Sequence, residues 1–169
     1  GLGRPALSHE EETQRAAAQR PETKEREMAN KVENMVSVLR QWQKIERESM
    51  SATAKISEET NSTLIRILMD IIRHDSHMHH RVQQFLIDSV TKENVTVTRD
   101  DVVAIWDSIE EHDKLEKQTI KLAEELKEQA WTPVHKLLLD YLLRDESKHD
   151  ALLMQLDEFK ADMSRSSGA

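Results

Sequence analysis

Apolar side chains recur along most of the chain at alternating spacings of three and four residues, which is the pattern of amphipathic helices. The first two stripes predict helices from about Glu22 to Glu58 and from about Asn61 to Val90. After the segment KENVTVT, two further stripes predict helices from Thr98 to about Gln129 and from Thr132 to about Met163. The pattern therefore predicts an all-α chain built from four long helices.

The segments between these helices predict how the helices are connected. Ser62, Thr98 and Thr132 are good capping residues, and Pro133 suits the first position of a helix. The first and third connections are only a few residues long, so each joins an antiparallel hairpin. The middle connection is too short to run the length of a bundle. We therefore expect an antiparallel up-down-up-down four-helix bundle over residues 22–163, with a flexible N-terminal arm (1–21) and a flexible tail (164–169).

Composition and charge limit the classes of function. A chain of 169 residues is long enough for one domain with a core. The absence of cysteine excludes thiolate metal sites, iron–sulfur clusters and thiol nucleophiles. A net charge of −8 without a local basic run argues against nucleic acid as a partner. No apolar run reaches the length of a membrane span, so the expectation is a cytoplasmic protein that is not membrane-bound.

Acidic residues and histidines interrupt the apolar stripes, where an unpaired charge is costly to bury. The fourth helix carries Asp145 and His149 on its stripe, and Glu146 lies one turn before His149 on an adjacent flank. Counting from the hairpin loops puts these residues, and those of the other helices, near the middle of the bundle. The stripe residues of the other helices are Glu46 in the first, Asp75 and His79 in the second, and His112 and Glu116 in the third.

Short matches suggest that the chain contains a duplicated helical hairpin. Trp42-x-x-Ile45-Glu46 matches Trp106-x-x-Ile109-Glu110, and Asp75-Ser76-x-x-His79 matches Asp145-Glu146-x-x-His149. The first match pairs Glu46 with Glu110, whereas the apolar stripe favours Glu116. Glu110 shares a helix face with three lysines and is expected to be solvated.

Together these acids and histidines resemble those of the ferritin-like superfamily, which includes ferritins and rubrerythrins. The resemblance covers about residues 28–160, and its most specific segment is DESKH in the fourth helix. It implies a bundle in which two helices each give one Glu and the other two each give a Glu-x-x-His pair. By that pattern Glu46 and Glu116 are the single carboxylates, Glu146 with His149 is one pair, and His79 is a ligand of the other. Helix two departs from the pattern at Ser76, where Asp75 could substitute.

The resemblance implies metal ions as partners, with iron first and manganese or zinc as alternatives. It also implies a ferroxidase-like oxidoreductase that oxidises Fe(II) with O2 or peroxide, although whether the chain is an enzyme stays open, as does assembly into a homo-oligomer. A second metal-binding interpretation is a hemerythrin-like bundle, which His112-x-x-x-Glu116 would suit. The alternative from another class is a non-catalytic helical interaction module whose buried acid–His pairs fix the helix register.

Overall fold

The computed structural model describes residues 9–92 and 97–166, and it describes the side chains of residues 23–92 and 97–165. The described residues form helices and no strand, which confirms the all-α class. The chain divides into two units, Gly1–Val95 and Thr96–Ala169. The helices are α1 (His9–Glu59), α2 (Thr63–Thr91), α3 (Arg99–Val103), α4 (Trp106–Glu128) and α5 (Pro133–Ser166).

The first unit is an antiparallel pair of helices, α1 and α2, which we call hairpin 1. Its turn is closed by Ser62, whose hydroxyl accepts a hydrogen bond from the amide of Ile65 at 3.4 Å. This is the N-cap that the sequence predicts, and it satisfies one of the amide groups left free at the start of α2.

The seam between α1 and α2 is mainly polar. Gln43 is 1% exposed, and its side-chain amide donates to Oε1 of Gln84 at 3.1 Å. Glu46 and Ser76 are also buried in this seam. Polar groups that are buried in this way must be matched with one another, so they restrict the register in which the two helices can pack.

The second unit contains α3 and an antiparallel pair, α4 and α5, which we call hairpin 2. Thr98 caps α3 in a capping box with Asp101, and the hydroxyl of Thr132 accepts from the amide of His135 at 3.1 Å before α5. Both caps were predicted. The prediction of one continuous helix from Thr98 is wrong, because the helix is interrupted at Ala104 and Ile105. Neither residue is a helix breaker, so the sequence gives no local signal for the interruption.

The N-terminal helix is longer than the sequence predicts. It begins at His9 rather than near Glu22, so residues 9–21 of the predicted arm are helical. This segment lacks an apolar stripe, but it is rich in Glu, Gln, Arg and Ala, which favour a helix without packing. Residues 1–8, and residues 167–169 of the predicted tail, lie outside the described residues.

Each hairpin leaves an apolar stripe exposed. In hairpin 1 the stripe includes Trp42 (51% exposed) and Ile45, and in hairpin 2 it includes Leu115 (56%) and Leu122. None of the helices, as far as the structure describes them, is long and apolar enough to cross a membrane. The packing of all four long helices into one up-down-up-down bundle stays a prediction.

Candidate metal centre

Glu116 is a buried acid in the middle of α4. Its exposure is 6%, and its Oε1 lies 2.8 Å from Nε2 of His112, one turn earlier on the same helix. Glu110 is exposed and accepts a hydrogen bond from the indole of Trp106 at 2.8 Å. The phase of the apolar stripe therefore identified the buried acid, and the tryptophan match did not.

Two side chains of α5 converge on Glu116. Nδ1 of His149 lies 3.4 Å from Oε2 of Glu116 and 3.8 Å from Oε2 of Glu146. Glu146 and His149 are one turn apart, so both can point toward the same place on α4. One ligand atom from each of Glu116, Glu146 and His149 can be chosen so that all three lie within 4.8 Å of one another.

These separations suit a shared ion. Two ligand atoms held at about 2.1 Å from one ion, with a tetrahedral angle between them, are about 3.4 Å apart. The Nδ1 atom of His149 and the Oε2 atom of Glu116 are already 3.4 Å apart. A small rotation of Glu146 would bring its Oε2, now 3.8 Å from Nδ1 of His149, to the same spacing.

A hydroxyl group fixes the position of Glu146. The hydroxyl of Thr119 can donate its one hydrogen to Oε2 of Glu146, at 3.0 Å, or to the backbone oxygen of Glu116, at 2.8 Å. Thr119 was not among the residues for which the sequence predicted a role. The available signal was a hydroxyl one turn after a stripe carboxylate, where it faces the partner helix.

Asp145 lies on the other side of the imidazole. Its Oδ2 is 3.7 Å from Nε2 of His149, which is longer than a hydrogen bond, and its Oδ1 forms an ion pair with Lys148. Nδ1 of His149 therefore faces the carboxylates, while Nε2 faces Asp145. Asp145 would orient His149 as an outer carboxylate orients a metal-binding histidine only if a side-chain rotation closed this gap to hydrogen-bond length.

The electrostatics of Glu116 favour a cation beside it. A hydrogen bond from Glu146, when that carboxyl is protonated, lowers the pKa of Glu116; burial raises it, and the nearby His149 and His112 lower it further. With both carboxylates ionised, Oε2 of Glu116 is buried and accepts no hydrogen bond from any side chain that the structure describes. A buried acceptor of this kind is costly unless a cation or a proton occupies the space it faces.

Hairpin 1 holds only part of the predicted ligand set. Oε1 of the buried Glu46 lies 3.3 Å from Nδ1 of His79, whose side chain is largely exposed. The position of Asp75 on the core face of a four-helix bundle stays a prediction. Asp75 is half-buried and, within the described residues, makes no hydrogen bond or ion pair, whereas Ser76 is the buried residue and donates to the hydroxyl of Ser49 at 2.9 Å.

The seven predicted ligands thus separate into two groups. Hairpin 2 brings together His112, Glu116, Glu146 and His149, and hairpin 1 pairs Glu46 with His79. Asp75 belongs to neither group. A site formed by all four long helices stays a prediction.

Comparison with known proteins adds no relative. No protein-family model, no curated protein and no solved structure matches the chain. The resemblance to the ferritin-like superfamily therefore rests on the residues that suggested it, and the interpretation of the site rests on its geometry.

Proposed function

We propose that the chain is a metal-binding protein and that hairpin 2 binds one divalent transition-metal ion through Glu116, Glu146 and His149. The observation that carries the proposal is the buried Oε2 of Glu116, which accepts no hydrogen bond from the described residues and lies 3.4 Å from Nδ1 of His149. An ion at this point would replace a costly unpaired acceptor with a coordination bond and would neutralise two neighbouring carboxylates.

The ligand set narrows the choice of metal. Two carboxylates and one imidazole, with no sulfur, suit Fe(II), Mn(II) or Zn(II). Magnesium and calcium prefer sites made entirely of oxygen ligands, so the imidazole argues against them. His112 already contacts Glu116 and would either join as a further nitrogen ligand or hold that carboxylate in place.

Oxidation of Fe(II) by O2, the activity implied by the ferritin-like resemblance, needs more electrons than one iron ion supplies. One Fe(II) ion supplies one electron, whereas reducing O2 to peroxide takes two. Hairpin 2 provides ligands for one ion, so we propose metal binding as the function and reserve O2 chemistry for a dinuclear form. That form would add Glu46 and His79 and would require the two hairpins to pack together.

We also propose that the hairpins pair through their exposed stripes into the antiparallel four-helix bundle. The support is that Trp42 and Leu115 are each about half exposed on stripes of the same period, and burying such side chains gains about 25 cal/mol per Å². The fluorescence of Trp42 tests this in a variant lacking Trp106 and Trp131. Burial of Trp42 predicts a blue-shifted emission protected from acrylamide, and an emission like that of free tryptophan would rule out the pairing.

Metal content tests the proposed function directly. Protein purified without a histidine tag, stripped of metal, loaded with Zn(II) and dialysed should retain one ion per chain. The Glu146→Ala variant should retain none while keeping its helical circular dichroism. Glu111 is exposed on α4 and is not one of the three proposed ligands, so Glu111→Ala is the matched control and should bind like the wild type. Equal zinc content in all three proteins would refute the proposal.

A further inference from the structure

The contacts of the candidate metal centre recur in hairpin 1. His149 lies 3.4 Å from Glu116 in hairpin 2, and His79 lies 3.3 Å from Glu46 in hairpin 1. A shift of 70 residues takes Glu46 to Glu116 and His79 to His149. Each hairpin therefore has an acid–histidine pair at the corresponding positions of its two helices.

The same shift relates a second contact. The hydroxyl of Ser49 pairs with residue 76 at 2.9 Å, and the hydroxyl of Thr119 pairs with residue 146 at 3.0 Å. Ser62 and Thr132, which cap α2 and α5, also differ by 70 positions. Further identities at this shift are Lys44 with Lys114, Leu68 with Leu138, Asp70 with Asp140, Asp75 with Asp145, and Leu86 with Leu156.

This register corrects the repeat suggested by the tryptophans. Trp42 is 51% exposed, whereas Trp106 is buried near the start of α4. The two indoles therefore occupy different environments, and the pairing of Glu46 with Glu110 is wrong. The shift of 70 residues pairs Glu46 with Glu116, which are the buried acids of hairpin 1 and hairpin 2.

The two hairpins differ at one potential metal-ligand position. Residue 146 is a glutamate whose Oε2 lies 3.8 Å from Nδ1 of His149, whereas residue 76 is a serine whose hydroxyl donates to the hydroxyl of Ser49. The hydroxyl of Ser49 stands where Thr119 stands in hairpin 2, so it is placed to donate to a carboxylate at position 76. Glu46 and His79 would supply the other two ligands.

We infer that the chain is a duplicated helical hairpin whose first half is a second metal site lacking one ligand, the carboxylate at position 76. The wild type then holds one ion, in hairpin 2, and restoring the carboxylate creates a second site for the same class of divalent metal. The inference takes its choice of metal from the proposed function. It rests separately on the shared geometry of the two hairpins.

The Ser76→Glu variant tests the inference with Zn(II) as the probe. We expect two ions per chain against one in the wild type, measured by elemental analysis after dialysis. His77 is exposed on the next position of α2, so His77→Glu adds the same charge outside the site and should stay at one ion. Adding His79→Ala to Ser76→Glu should remove the second ion.

The outcomes separate this inference from the proposed function. One ion in both the wild type and Ser76→Glu overturns the inference and leaves the proposed function standing. No ion in the wild type and one in Ser76→Glu, lost with His79→Ala, supports the inference and refutes the proposed function. No ion in either protein overturns both.

Burial of position 76 makes a folding defect the main complication. Ser76 is 5% exposed, so a glutamate there lowers stability when no ion neutralises it. In that case the thermal unfolding midpoint of Ser76→Glu should rise more with Zn(II) than that of the wild type. The excess should vanish in the double variant with His79→Ala, and an equal rise in all three proteins would overturn the inference.

Discussion

Oε2 of Glu116 is buried 3.4 Å from Nδ1 of His149, and no described residue donates a hydrogen bond to it. Glu116 comes from α4 and His149 from α5, so the packing of hairpin 2 sets this separation. This ion-pair distance is also the spacing expected of two ligand atoms around one metal ion. The account of function depends on this relationship.

Removing the hydroxyl of Thr119 should weaken metal binding without removing a ligand. Thr119→Val keeps the shape of the side chain but lets Glu146 rotate away, since the 3.0 Å hydrogen bond is lost. We expect affinity for Zn(II) to fall about tenfold, as is typical when an outer partner of a ligand is removed. Competition with a chromophoric chelator measures it. Thr119→Ser keeps the hydroxyl and should restore the affinity, and equal binding by all three proteins would show that Thr119 has no positioning role.

Neutralising Glu46 should leave metal binding by hairpin 2 unchanged. Glu46 contacts His79 in hairpin 1, and the proposed ligands all lie in hairpin 2. Because independent sites contribute additively, Glu46→Gln should change Zn(II) affinity by no more than roughly twofold and should keep one ion per chain. Isothermal titration gives both quantities. A large loss of affinity would instead favour the dinuclear form in which Glu46 is a ligand.

Truncating Gln43 should destabilise hairpin 1. Its side chain is 1% exposed and donates to Oε1 of the half-buried Gln84, so Gln43→Ala removes a buried side chain together with its hydrogen bond across the seam. The free energy of unfolding should fall by about 1–3 kcal/mol in urea denaturation. Gln41 is exposed on the same helix, and Gln41→Ala should change stability by less than about 0.5 kcal/mol. Similar losses for the two variants would contradict a structural role for the polar seam.

The cap of α3 predicts a pH-dependent contribution to stability. Hydrogen bonds from the side chain and backbone of Thr98 lower the pKa of Asp101 below its ordinary value of 3.8. The contribution is therefore fully present above that value and is lost as the pH falls through the lower, folded-state pKa. Asp101→Asn should be less stable than the wild type at neutral pH, and the two should converge in acid. If the denaturation midpoints of Asp101→Asn and the wild type differed by the same amount at neutral pH and in acid, this assignment would be contradicted.

The sequence predicted the local elements well because their signals are local. The caps at Ser62, Thr98 and Thr132 depend on side chains next to the helix start, and all three are present. The interruption at Ala104 was not predictable, because residues 104 and 105 are compatible with a continuous helix. The helical segment before residue 22 was missed because the absence of an apolar stripe was taken as the absence of a helix.

The sequence was enough to identify the residues of the candidate metal centre, but not all of their contacts. The phase of the apolar stripe was enough to identify Glu116, and the one-turn spacing identified Glu146 with His149. In α2 the same phase favoured Asp75, whereas the residue that is buried against α1 is Ser76. A stripe is wider than the seam between two helices, so its phase alone does not separate neighbouring positions at the edge of the seam. The contact between Ser49 and Ser76 settles the choice.

A crystal structure of the zinc-loaded protein, with anomalous diffraction recorded at the zinc edge, would show whether Glu116, Glu146 and His149 share one ion. The account predicts one strong anomalous peak per chain at about 2.0–2.2 Å from a carboxylate oxygen of Glu116, one of Glu146 and Nδ1 of His149. A peak located only at other side chains, such as the exposed His74 and His77, would contradict it.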